Sequence, residues 1–366
     1  MIPTFRPTIR RADMDAVLTR LAEDSIGSGV LAGEFSQKLA KHLNRRSGIS
    51  FRSWGLAFRA ALTALDLPEG ARIGCSVLAP EAVRRQIDAR GYETVLIDTQ
   101  KDVPLLPSPL NVDYEAFRLD ALYVDTRLGF VPDLDSFAQL GIPLLEDISE
   151  GLGGNTGSVM AGSVGELTII GLEPEHIITA GGGAVVATSN TRRVAALNRA
   201  VNGESGDLPL PDMNSALGLT QMKQLEAFIE RRRDLARRFV RTLQRTRHSL
   251  PVQPGDGENV YCALPVLVES SPRDVEHYAR THGVTVIRAF QTTILNALSD
   301  TDPSSSDADQ SPESPPGTDT PAMTETVLKR FPQALSLAGR MVLFPLFPAL
   351  SKADQERIER VLATLP

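Results

Sequence analysis

The chain has 366 residues, 42% of them hydrophobic and 23% charged, which suffices for a large domain and a smaller one around buried cores. A net charge of -7 excludes nucleic acid as the main partner, because phosphate binding needs clustered Lys and Arg. No signal-peptide core opens the sequence, and no run approaches the roughly 20 apolar residues of a membrane span, so a cytoplasmic protein is expected.

In chain order, residues 13–25 read as an amphipathic helix, then the glycine-punctuated SGVLAG and a helix from Glu34, EFSQKLAKHL. WGLAFRAALTALDL, after Ser53, has helical apolar spacing and ends at the turn Pro68-Glu69-Gly70. RIGCSVLA, PEAVRRQIDARG, YETVLIDT, DALYVDT, DLDSFAQLG and IPLLED then alternate strand and helix, the pattern of right-handed βαβ units in a mostly parallel sheet. GELTIIGL, HIITAGG and GAVVATS predict three closely spaced strands, and 214–246 a long helix.

Beyond it NVYCALPVLV and VTVIRAF read as strands around the helix PRDVEHYARTHG, and the chain closes with a strand and a helix. Segment 299–322 is rich in Ser, Asp and Pro without a large apolar side chain, and is expected to be a disordered insertion. Cys75 and Cys262 match no metal spacing and read as reduced packing residues. Only six lysines occur, at 38, 41, 101, 223, 329 and 352, so none lies between Lys101 and Lys223.

Five segments in this order carry a resemblance: SGVLAGEFSQKLAKHL, LLEDISEGLGG, HIITAGGGAVVATSN, ALGLTQMKQLEAFIERRRDLARRF and FPQALSLAGRMVLFPLFPALSKAD. Together they resemble the DegT/StrS sugar aminotransferases, a branch of the fold type I enzymes dependent on pyridoxal phosphate (PLP). The resemblance implies an α/β fold with a large domain over 1–235 and a smaller C-terminal α+β domain over 236–366. It also implies PLP as cofactor, a nucleotide-sugar-like ligand from amino-sugar or polysaccharide biosynthesis, and a homodimer.

Carried onto this sequence, the family's parts survive unevenly. Asp147 ends the apolar strand IPLLE, where open α/β sheets bind ligands, and matches the aspartate that pairs with the cofactor's pyridine nitrogen. The family's phosphate-binding Ser-Gly-Thr becomes Ser53-Trp54-Gly55: a hydroxyl and a glycine remain, the threonine is gone, and Trp54 is bulky where glycine would admit phosphate. Ser53 reads equally as a helix cap. The aromatic that stacks on the ring has no counterpart, its place falling at Leu78 or Ala79.

Counting back from Gly182-Gly183-Ala184 puts the Schiff-base lysine at Glu175, with His176 beside it. Related sugar dehydratases carry histidine there, so His176 is a candidate acid/base. Glu150 replaces a usually neutral residue and, with Asp147, Glu173 and Glu175, opposes a phosphate. The triple glycine 181–183 reads as a tight turn. Three functions follow from these residues: a family member that no longer transaminates, a lysine-independent PLP dehydratase using His176, or a non-catalytic dimeric module.

Overall fold

Ser53 starts the first helix that matters to the site: its Oγ accepts from the Leu56 N–H at 3.3 Å, capping α3 (Trp54–Leu65). Before it come α1 (Arg11–Ala22), α2 (Val30–His42) and a strand not anticipated from the sequence, β1 (Ser47–Phe51). In this computed structural model, residues 1–202, 208–299 and 329–366 are described. The insertion expected over 299–322 lies, after Ser299, outside the described residues.

The chain next alternates β2 (Arg72–Ser76), α4 (Glu81–Asp88), β3 (Glu93–Ile97), β4 (Ala121–Asp125), α5 (Leu134–Ala138) and β5 (Leu144–Asp147). A small ribbon, β6 (Asn155–Thr156) and β7 (Val159–Met160), leads to β8 (Leu167–Gly171) and β9 (Ala184–Thr188). Seven strands form one sheet in the order β1-β9-β8-β5-β4-β2-β3. From β8 through β3 the neighbours are parallel, and β9 runs antiparallel to both β8 and β1. Every residue of β4, β5, β8 and β9 is buried, as expected where both faces of a parallel sheet are covered. The order reverses between β2 and β4, and a crevice forms at such a switch point beyond the strands' carboxyl ends.

Several sequence readings are corrected here. HIITAGG is not a strand: residues 172–183 fold back between β8 and β9, with Ala180 N–H and Gly182 N–H donating to the Leu172 carbonyl and Leu172 N–H donating to that of Gly183. Gly181, Gly182 and Gly183 have φ of 74°, 123° and 95°, which the tight turn requires and larger residues resist. The helix expected over 214–246 breaks at Lys223 and Gln224 into α7 (Asp212–Met222) and α8 (Leu225–Leu243), while α6 (Thr191–Val201) went unread. Of NVYCALPVLV only β10 (Leu264–Leu267) joins the sheet, and of VTVIRAF only β11 (Ile287–Arg288), while Val284 makes an isolated parallel bridge with Ile2.

The remaining elements are α9 (Pro272–Thr281), α10 (Ile294–Ser299), α11 (Pro332–Arg340), β12 (Met341–Phe344) and α12 (Lys352–Ala363). An antiparallel sheet, β10-β12-β11, packs here around its own core of Phe239, Leu264, Val266, Val342, Phe344 and Ile358. Helix α8 passes from one core to the other. Leu225, Phe228 and Ile229 belong to the core of the large sheet, Leu235, Ala236 and Phe239 to the second. At the crossing sits buried Arg232, whose Nη1 donates to the carbonyls of Tyr261 (2.9 Å), Cys262 (3.0 Å) and Leu346 (2.7 Å). Burial without a carboxylate partner pushes its pKa down to about 10.

Candidate functional site

Strand β5 delivers Asp147 to the carboxyl edge of the sheet, 6% exposed and fully bonded. Its Oδ2 accepts from the Trp54 indole Nε1–H at 2.7 Å and the Tyr123 hydroxyl at 3.0 Å. Its Oδ1 accepts from the Ser149 N–H at 2.9 Å and from the Ser149 hydroxyl. Four donors thus saturate the lone-pair sites of one carboxylate. The donors are in turn fixed. Ser149 Oγ accepts from the Gly171 N–H at 2.7 Å, and Trp54 stacks on Phe58 with centroids 4.9 Å apart and planes at 19°. Phe58 meets the Tyr123 ring edge-on at 5.6 Å.

Against this floor opens a cavity of about 190 Å³, below the roughly 300–1,000 Å³ usual for small-molecule sites. Trp54, Tyr123, Pro80 and Ala82 supply apolar wall, and Asp125, Arg127, Asp147, Glu150, Glu173 and His176 supply charge or polarity. Four carboxylates thus face one guanidinium.

Arg127 is spoken for: its Nη1 lies 3.0 Å from Glu150 Oε1, its Nε 3.9 Å from Asp125 Oδ2, and its guanidinium rests over the Phe290 ring at 5.8 Å. Glu150 also takes the Leu128 N–H at 2.5 Å, in a turn where Leu128 adopts φ of 55°. It is therefore a clamp for the β4 turn as well as a cavity wall. Asp125 Oδ2 and Arg127 Nε are buried without a hydrogen-bond partner. Burial, with Asp147 and Glu150 adding to it against the pull of Arg127, raises the Asp125 carboxyl to about 7.

His176 Nδ1 accepts from the Glu173 N–H at 3.2 Å, so that nitrogen is bare and the neutral ring carries its proton on Nε2. The ring packs against Gly171, where an added Cβ would come within 2.8 Å of Cε1. His176 and Glu173 line the cavity. Glu175, matched by residue count to the lysine position, is exposed and does not. Lys101 and Lys223 are also exposed and away from it, so no lysine lines the cavity.

Of the other expected site residues, Ser53 and Gly55 lie at the start of α3. The Ser53 hydroxyl is committed to the helix cap, and the Gly55 carbonyl accepts from Gln86 Nε2 at 3.2 Å. Leu78 and Ala79 are wholly buried behind the wall, and Pro80 and Ala82 stand at the surface of the cavity in their place. Tyr123, Asp125 and Arg127 were missed from the sequence. Asp125 carried the same signal as Asp147, an acid closing an apolar parallel strand. The residues present do not match a PLP site: the aspartate that would face the ring nitrogen is already bonded to Trp54, no amine lines the cavity, and its carboxylates oppose a phosphate.

A model of the DegT/DnrJ/EryC1/StrS aminotransferase family matches residues 7–297. A UDP-4-amino-4,6-dideoxy-N-acetyl-beta-L-altrosamine transaminase of Campylobacter jejuni subsp. jejuni serotype O:23/36 (strain 81-176) is 22% identical over 262 residues, 64% of this chain and 68% of that protein. The aminotransferase TlmJ from Streptoalloteichus hindustanus superposes with a TM-score of 0.82 at 20% identity, covering 99% of this chain and 98% of its own. The E. coli GDP-4-keto-6-deoxy-D-mannose-3-dehydratase, solved with bound hydrated PLP, gives 0.81 at 17% identity, with 99% of each chain covered. These structures share the α/β fold of the fold type I PLP-dependent enzymes, with its mostly parallel central sheet. With the family model spanning most of its length and this architecture beneath it, the chain belongs to the DegT/DnrJ/EryC1/StrS aminotransferase family.

Proposed function

We propose that this chain is a family member that does not transaminate and serves instead as a binding or structural module. The observation that carries the reading is the cavity without lysine: amino transfer on this scaffold needs an amine to bond the cofactor and then move the proton, and the lining offers Asp125, Glu150, Glu173 and His176 instead. The engaged state of Asp147 supports it. Titration with PLP and with its amino form, followed by gel filtration, is expected to leave no visible absorption band with the protein. Glutamate and a UDP-keto-sugar are expected to give no amino sugar. A retained band that borohydride fixes onto a lysine overturns the proposal. Because the Campylobacter relative is named for a UDP-linked amino sugar, UDP-sugars are the first ligands to test.

The lysine-independent dehydratase reading has one observation in its favour, His176 in the cavity wall. Against it, Nδ1, the basic lone pair of the neutral ring, is committed to the Glu173 N–H, which leaves Nε2–H as a donor. The proposed assembly is a homodimer. Met14, Leu18 and Leu21 on one side of α1 are 51%, 58% and 47% exposed and Val30 84%, apolar surface that a second copy would cover. Sedimentation at monomer mass would remove that part. The change of core along α8 supports a proposed division into 1–235 and 236–366, with Ile294, Phe331 and Leu343 of the second part packing back onto the first core.

A further inference from the structure

We infer that the Trp54 indole is a built-in occupant of the ring subsite in front of Asp147, and that removing it opens a binding site for a free planar heteroaromatic carrying a ring N–H. Three observations converge. The indole N–H meets Asp147 Oδ2 at 2.7 Å, the charge-assisted bond that a ring N–H donor would make there. The ring lies nearly parallel on Phe58, and Phe58 is braced edge-on by Tyr123, so the subsite is built for a flat aromatic. The other three donors on Asp147, from Tyr123 and Ser149, are buried and fixed by the sheet, so the indole is the one occupant a substitution can remove without dismantling the aspartate's setting.

Trp54 is also held from below. It is the first residue of α3, directly after the cap Ser53, on a helix whose Ala57, Phe58, Ala60, Ala61 and Leu62 are buried in the main core. The indole therefore stays aimed at the aspartate without a lid or loop to bring it there. The inference does not rest on the absent lysine.

The test uses W54G, with indole and benzofuran as probes; benzofuran has the same shape with oxygen in place of N–H. Indole is expected to raise the melting temperature of W54G by about 1–3 °C at several times its dissociation constant and to leave the wild type unmoved. Benzofuran is expected to bind W54G about tenfold or more weakly, since it leaves the carboxylate without a donor. A folded W54G that ignores indole, or takes both probes equally, overturns the inference. Should W54G not fold, the wild type itself decides: Trp54 is the only tryptophan of the chain, so intrinsic fluorescence reports on it alone. Emission as red-shifted and as readily quenched by acrylamide as free tryptophan would place the indole in water and overturn the inference. Blue-shifted, protected emission that the conservative D147N variant shifts supports it. Failure of the indole arm leaves the non-transaminating reading intact, whereas a lysine-bound PLP band fails that reading first.

Discussion

Replacing Asp125 with asparagine isolates one carboxyl whose ionisation the fold opposes. In the native chain burial lifts it from 3.8 to about 7, with Asp147 and Glu150 adding to the effect and Arg127 opposing it. At 1.36 kcal/mol for each pH unit, the displacement corresponds to roughly 4 kcal/mol of proton affinity. The folded state binds more protons than the unfolded one between about pH 4 and 7. The contribution of Asp125 to stability is therefore fully present below pH 4 and is lost as the pH rises towards 7. Asparagine keeps the shape and does not titrate. Urea midpoints for wild type and Asp125→Asn at several values from pH 4.5 to 8 are expected to diverge, with the wild type losing ground to the variant as the pH rises and the gap levelling off above 7. Groups that titrate alike in both proteins cancel in that difference. A difference that stays flat across the range would refute the reasoning, because it would mean that Asp125 ionises in the fold as readily as in water.

Other substitutions test the frame around the site. Asp212 Oδ1 accepts from the Gly29 N–H at 3.0 Å and the Ala32 N–H at 2.9 Å, capping α2 from a distant part of the chain; Asp212→Ala is expected to cost about 1–2 kcal/mol in thermal or urea unfolding. Gly183→Ala combines φ of 95° with a Cβ that would stand 2.4 Å from Leu210 Cδ1, and is expected to lose about 2–3 kcal/mol by the same assay. Arg232→Met leaves three buried carbonyls without their shared donor and is expected to cost about 3 kcal/mol or more. Its unfolding curve should also lose the single sharp transition if the two cores separate.

The apolar runs made the sheet legible. ALYVD, LLED and LTIIG announce buried strands by hydrophobicity, RIGCS does so through the VLA that continues its run, and Asp147 stands out because an acid closes one of them. SGISF was harder, since two serines and a glycine dilute its apolar signal, and it becomes a strand by pairing with β9, well over a hundred residues away. HIITAGG failed in the other direction. Its β-branched residues favour a strand, yet the three glycines turn the backbone and Thr179 Oγ1 donates to the Leu172 carbonyl at 2.9 Å, so the local bonds win. That no lysine lies between Lys101 and Lys223 was readable by counting, whereas the destination of Trp54 was not. Spacing along the chain marked a bulky side chain at the start of a helix, but only the packing of α3 against the sheet brings its N–H to a carboxylate 93 positions on.

Helix α8 has a consequence for motion. A rotation of the C-terminal sheet about that helix would have to slide the Tyr261, Cys262 and Leu346 carbonyls off the guanidinium of Arg232, a residue only 4% exposed. One guanidinium thus ties three stretches of backbone to the helix that both cores share, and turning them about it forfeits all three bonds together.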